Sequence, residues 1–235
     1  MSVLALLLAG PLQSWGSAAR FARRTTENAP TKSGVIGLLA AAQGRDRADD
    51  LSDLAALRFG VRVDQRGTRL RDYQTAHHQV TEVSMPVSER FYLADAVFVA
   101  AVAGDDPLIG ELHRAVRKPV YLPYLGRRSC PPARPVDLGE YGESDLEEVL
   151  ERVPWQAAGW HQRRRRQEPV VTLETFVDAT SGDTSPDSLR DAPLSFDPLH
   201  RRYALRGVRT GRVQVNNPMA RQLPDHDPIS PLGGD

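Results

Sequence analysis

Several things are scarce in this sequence, and each scarcity removes a class of protein. There is one cysteine, Cys130, in 235 residues. No disulfide can form within the chain, and a reducing cytoplasmic setting is expected. A lone thiol between Ser129 and two prolines reads as structural rather than nucleophilic. No Cys/His cluster has ligand spacing, so neither a metal nor any other cofactor is expected. Long apolar runs are missing too. The run Val3-Leu4-Ala5-Leu6-Leu7-Leu8-Ala9 falls well short of the ~20 residues of a membrane span, so no membrane partner is expected. It has no basic lead-in and ends at Gly10-Pro11, which reads as a buried strand and not a signal segment. Lysine is nearly absent: the 30 basic residues are 28 arginines with Lys32 and Lys118. That bias matches a GC-rich genome, although guanidinium groups suit phosphate forks and base stacking. Net charge is zero, so any polyanion surface has to come from local segregation of charge.

What is present reads as an ordinary globular protein, 40% hydrophobic and 26% charged. After the strand at 3–9 comes a loop over 10–33. A helix then runs to about Gln43, with Thr31 and Ser33 as N-cap candidates and Gly44 as the C′ residue. Val35, Leu38, Leu39 and Ala42 share one buried face of it. Residues 58–63 alternate with period two, which places Phe59, Val61 and Val63 inward and Arg58 and Arg62 outward. A polar insertion fills 64–94. A strand at 95–103, a helix at 107–117 and a strand at 170–177 follow.

This order predicts an α+β protein, a ferredoxin-like (RRM-like) β-α-β-β-α-β domain with a long insertion and an irregular C-terminal part. The expected division is 1–135 for the domain, with the insertion at about 64–94. Residues 136–215 would complete the sheet, with a flexible loop at 180–198, and 216–235 would be a disordered tail. Seven acids crowd residues 137–151 with no base among them.

The chemistry-bearing residues lie in three loop-like segments. The first carries Trp15, Arg20, Arg23 and Arg24, followed by Lys32 and Ser33 at a helix start whose N–H groups favour an anion. Aromatics interleaved with arginines are what a single-stranded RNA groove needs; the bland reading packs Trp15 in the core. The second is the insertion, with Arg69, Arg71 and Tyr73. Tyr73, His77 and His78 would be the acid–base candidates for an RNA-cleaving enzyme, against a plain exposed hairpin. The third runs from Tyr121 to Pro132 and presents Tyr124, Arg127 and Arg128. Arg163–Arg166 read as a solvated face, with RNA contact as the minority alternative.

Four separated motifs occur in order: Ala9-Gly10-Pro11-Leu12-Gln13-Ser14-Trp15-Gly16, Ala29-Pro30-Thr31-Lys32-Ser33-Gly34-Val35-Ile36-Gly37-Leu38-Leu39, Leu70-Arg71-Asp72-Tyr73-Gln74-Thr75, and Pro123-Tyr124-Leu125-Gly126-Arg127-Arg128-Ser129-Cys130-Pro131. Over about residues 3–135 the chain resembles the CasD family of type I-E CRISPR Cascade subunits, within the RAMP superfamily. The resemblance implies that the insertion is a hairpin thumb. It also implies a non-catalytic subunit that binds and caps the 5′ handle of crRNA. Its partners would be the backbone and large subunits, and target DNA indirectly. In type I-E systems a separate endoribonuclease cuts the precursor. In type I-C systems the equivalent subunit cuts with Tyr, Lys and His residues, a trio that cannot be matched here motif by motif. The alternative is a metal-independent endoribonuclease.

Overall fold

The structure, a computed structural model, describes residues 1–16, 23–184 and 186–221. The N-terminal apolar run forms β1 (Ser2–Ala9), and every residue in it is buried. Continuous apolarity in a strand means cover on both faces of its sheet, and both covers are present. On one face Leu4, Leu6 and Leu8 pack against Val35, Ile36 and Leu39 of α1 (Lys32–Gln43) and Ile109 and Leu112 of α3 (Asp106–Arg117). On the other, Val3 and Ala5 meet Leu146, Val149 and Leu150 of α4 (Leu146–Arg152).

The helix α1 begins and ends as its sequence dictates. The Thr31 side chain accepts from the Gly34 N–H at 3.3 Å, and Gly44 closes the helix in the left-handed region at φ 82°. The short helix α2 (Ser52–Ala55) leads into β4 (Arg58–Gln65). A hairpin of β5 (Thr68–Gln74) and β6 (Ser88–Ala94) then precedes β7 (Val97–Gly104). After α3 come β8 (Asp137–Tyr141), α4, α5 (Gly159–Arg164), β9 (Val170–Asp178), β10 (Asp187–Ser195) and β11 (Arg202–Asn216). Seven strands form one antiparallel sheet in the order β10-β11-β9-β4-β7-β1-β8.

A second sheet has β6 at its centre. It pairs with β5 on one side, and with β2 (Leu12–Gln13) and β3 (Arg23–Arg24) on the other. The mixed α and β content, with strands paired antiparallel except β3 against β6, follows the expected class.

Four expectations are corrected. The strand at 170–177 exists as β9, but it pairs with β4 and β11. The strand beyond β1 is β8, drawn from the acid-rich stretch and paired with β1 through Val3↔Tyr141 to Leu6↔Asp137. Arg62 does not face solvent. It is fully buried under α4, because β4 is covered on both faces rather than one. Residues 180–198 are not simply a loop, since β10 occupies 187–195 and pairs with β11. Lastly, the expected tail is anchored where it starts: the Asn217 amide donates to the carbonyls of Gln162 and Arg165 at 3.2 and 2.9 Å. Residues 222–235 lie outside the described residues.

Arg62 organises the junction of β4 and α4. Its guanidinium donates to both Asp64 carboxylate oxygens at 2.6 and 2.9 Å. It also donates to the carbonyls of Leu150, Val153 and Pro154 at the C-terminal end of α4. Asp64 accepts in addition from the Gln156 N–H at 2.6 Å. Burial pushes the Asp64 carboxyl up, while Arg62 and Gln156 act to hold it ionised.

Candidate nucleic-acid interface

Much of the first and second motifs builds the core. Trp15 is fully buried, with its indole N–H on Gln13 Oε1 at 3.0 Å. Gln13, also fully buried, donates to the carbonyls of Leu8 and Ala96. A Cβ on Gly34 would sit 2.8 Å from the Trp15 ring, so the glycine of Thr31-Lys32-Ser33-Gly34 makes room for that tryptophan. Trp15 therefore offers no stacking face, a correction that comes from how many apolar neighbours surround it.

The helix start is also taken. Asp191 of β10 accepts from the Lys32 backbone N–H at 2.7 Å, where an external anion was expected. The Lys32 ammonium pairs with Asp178 at 3.0 Å, and Arg206 bridges Asp178 and Asp191 at 2.7 and 2.8 Å. Ser33 is buried beside Thr31. This four-charge network locks α1 to β9, β10 and β11, so Lys32 and Ser33 are structural. Arg20 lies outside the described residues.

The remaining arginines gather on and beside the second sheet. Arg23 and Arg24 form β3, Arg69 and Arg71 lie on β5, and Arg90 on β6; Arg127 and Arg128 come from the loop after α3. On these segments only Glu89 and Asp72 oppose them. The loop is brought in by Gly126, which has φ +83° and whose missing side chain would overlap the Ser14 carbonyl. Ser14 N–H in turn bonds the Leu125 carbonyl at 3.1 Å.

Arg127 lies over the Tyr92 ring at 4.7 Å and donates to the Arg24 carbonyl at 2.9 Å. Its Nη1, and Nε of Arg90, are shielded and have no acceptor among the described residues. Arg23 stands over Phe91 at 5.4 Å and reaches Glu89 at 4.0 Å. Arg71 covers Tyr73 at 4.8 Å and pairs with Glu89 at 2.8 Å. Arg69 holds the chain before α1 through the Thr26 carbonyl and the Asn28 side chain. Arg128 is exposed and Tyr124 half-buried.

The sequence reading passed over Arg90, Phe91 and Tyr92 as ligands. Alternation along 88–94 was the signal, since it aims Arg90 and Tyr92 at the same face.

The two imidazoles serve the tip of the β5–β6 hairpin. His78 Nδ1 accepts from the N–H groups of Val80 and Thr81, and His77 Nδ1 meets the Glu82 carbonyl and the Ser84 hydroxyl. Tyr73 contacts Arg71 instead of either histidine. No group of three or more His, Cys, Asp or Glu among the described residues is placed to hold a metal.

Cys130 is 1% exposed, and burial pushes its thiol up from the ordinary value. Ellman's reagent is expected to react with the native protein far more slowly than with the urea-unfolded chain. Equal rates would mean that this loop opens freely.

Residues 3–209 match the family described as CRISPR-associated protein (Cas_Cas5). The chain belongs to the Cas5 family. It is 40% identical over 170 residues to the CRISPR system Cascade subunit CasD of Escherichia coli (strain K12), across 63% of this chain and 75% of that one. Among solved structures, a crystallised Cas protein superposes with a TM-score of 0.71 at 37% identity, covering 94% of this chain and 99% of the other. A chain of a CRISPR RNA-guided surveillance complex does so with 0.72 at 32% identity, covering 95% of each. The family expected from the four motifs is thus the family found, and the Cas5 match extends well past residue 135. No helix among the described residues is long and apolar enough to cross a membrane.

Proposed function

We propose that this Cas5-family chain is a cytoplasmic subunit of a CRISPR surveillance complex and holds the 5′ handle of crRNA against its second sheet. The observation that carries this reading is the arginine cluster itself. Shielded guanidinium N–H groups on Arg90 and Arg127 lack acceptors among the described residues, and buried donors are normally satisfied. Phosphate oxygens would satisfy them. Arg127 lies over Tyr92, and on the other face of the hairpin Arg23 lies over Phe91 and Arg71 over Tyr73, the pairing of charge with rings found in grooves that take single strands.

The quartet β8-β1-β7-β4 with α1 and α3 is consistent with a ferredoxin-like core, with β9, β10 and β11 as an extension. In this reading the β5–β6 hairpin is the thumb, which meets the backbone subunit. The large subunit lies near the handle, and target DNA is engaged only through the assembled complex.

The role is binding rather than catalysis. The hydrogen bonds of His77 and His78 go to their own hairpin, and among the described residues neither meets Tyr73 to form an acid–base pair for an endoribonuclease. Incubation of the purified chain with repeat RNA and with handle RNA separates the two readings. Tight binding with intact RNA is the expected result, and metal-independent cutting of the repeat would establish the nuclease instead.

Affinity for handle RNA is expected to fall with salt, with a log–log slope of about −0.7 for each phosphate contacted. Arg24→Ala and Arg127→Ala are expected to weaken it about tenfold each while melting within a few degrees of the parent, since Arg24 is exposed and Arg127 makes one hydrogen bond. Lys32→Ala should do the reverse, lowering the melting temperature and sparing RNA affinity. A salt-independent Kd would rule out this surface.

A further inference from the structure

We infer that the cleft between α5, the end of β4, β9 and β11 is a second binding site, for single-stranded nucleic acid, separate from the second sheet. The cleft has a volume of about 440 Å³, and its ionisable lining is Asp64, Arg66, His161, Arg165, Glu174 and Arg212. The carboxylates at and beside it are already engaged. Asp64 is held by Arg62, Glu174 by Arg66 at 2.6 Å, and Glu168 by Arg165 at 2.5 Å.

Arg212 faces Glu174 across the β9–β11 ladder. Together with Arg163, Arg164 and Arg166 it has no carboxylate partner among the described residues. All four are exposed. Positive charge is therefore in excess at and beside the cleft, although the whole chain has none to spare. Burial and the fields of Arg165 and Arg164 hold the His161 imidazole below its ordinary pKa, consistent with that potential.

The ligand class follows from the aromatic group beside these charges. Trp160 is 52% exposed and stands edge-on to His161, with ring centroids 5.4 Å apart. An indole left in water three and four residues before Arg163 and Arg164 on the same helix offers a stacking platform plus phosphate contacts, the combination that holds unpaired bases. An acidic protein segment would use the arginines and leave the indole idle. Of the Arg163–Arg166 run, which the sequence presents as a solvated face, Arg165 lines the cleft and the other three stand at its edge, where α5 ends at Arg164 and the chain turns.

The test uses the full chain and a fluorescein-labelled oligothymidylate of about 12 nucleotides, a length within ordinary single-strand footprints. This probe carries no handle sequence, so its outcome is independent of the handle reading. Anisotropy should show binding that persists in Arg127→Glu. The triple variant Arg163→Ala/Arg166→Ala/Arg212→Ala should bind about tenfold more weakly, with a salt slope shallower by about 0.7 per phosphate lost. Trp160→Ala should weaken binding about fivefold or more, and Trp160→Phe should restore most of it. The triple variant and both Trp160 variants should keep the parent's affinity for handle RNA and its melting temperature.

Parent-like oligothymidylate binding by the triple variant would overturn the site. So would loss of that binding in Arg127→Glu alone, which would place the probe on the second sheet. Displacement of the oligonucleotide by poly-glutamate at equal charge concentration, with no effect of Trp160→Ala, would assign the cleft to an acidic protein partner instead.

Discussion

Arg62→Leu is expected to destabilise the fold by about 3–5 kcal/mol, the usual cost of removing one member of a buried ion pair. Arg62 and Asp64 are both inaccessible to solvent. Leucine would leave the Asp64 carboxylate with the Gln156 backbone N–H as its remaining donor among the described residues, and would strip donors from three carbonyls where α4 ends. Domains are stable by only about 5–15 kcal/mol, so the variant should unfold at a much lower urea concentration with a similar m-value. Asp64→Leu added to Arg62→Leu should recover part of the loss, because the orphaned charge goes while the uncapped carbonyls stay. A loss below about 1 kcal/mol in the single variant would mean that water replaces the guanidinium, and that α4 is docked mainly through Leu146, Val149 and Leu150.

The same residue shows where the sequence was legible and where it was not. Period two along 58–63 correctly sends Phe59, Val61 and Val63 to the α1 and α3 face. It says nothing about what lies over the other face. That cover is α4, whose Leu146, Val149 and Leu150 recur at helical spacing among the seven acids of residues 137–151. Charge count hid an amphipathic helix, and with it the reason why an arginine is buried on β4.

Strand β8 was hidden by the same acids, so the nearest plausible later strand, 170–177, was given its place. Both segments are strands, and only long-range pairing decides which lies beside β1. At the candidate interface the motifs located the right region and blurred its chemistry. Trp15, Lys32 and Ser33 have the residue types of a nucleotide site, but their partners are Gln13, Asp178 and Thr31. Two of those partners lie next to them in sequence. Asp178 and Asp191, which tie up the helix start, come from more than a hundred residues away and left no local trace.

Replacing residues 75–87 by a two-residue Asn-Gly turn is expected to leave the body folded and to cripple assembly with neighbouring subunits. The ladder from Thr68↔Ala94 to Gln74↔Ser88 is complete without the tip, and Asn-Gly suits a tight hairpin turn. Tyr92 and Leu93, which anchor β6 in the main core, are untouched. The tip is apolar where a solvated hairpin would be polar: Val80 is 85% exposed and Val83 64%, with Met85 and Val87 each more than half exposed. These four are scattered through a segment of otherwise polar composition, which is why the insertion read as polar from sequence. Exposed apolar side chains clustered on one projection mark a surface that a partner covers. Each such side chain contributes about 1.5–3 kcal/mol when fully buried. Partial burial of four, less the ordering of the tip, leaves on the order of 3 kcal/mol, or roughly a hundredfold in association. Co-purification of the shortened chain with the other subunits should therefore fall by that order, while its affinity for an isolated handle RNA changes less than about threefold. Normal assembly by the shortened chain would remove the hairpin from the interface. Equal losses in assembly and handle binding would mean that the tip holds RNA rather than protein.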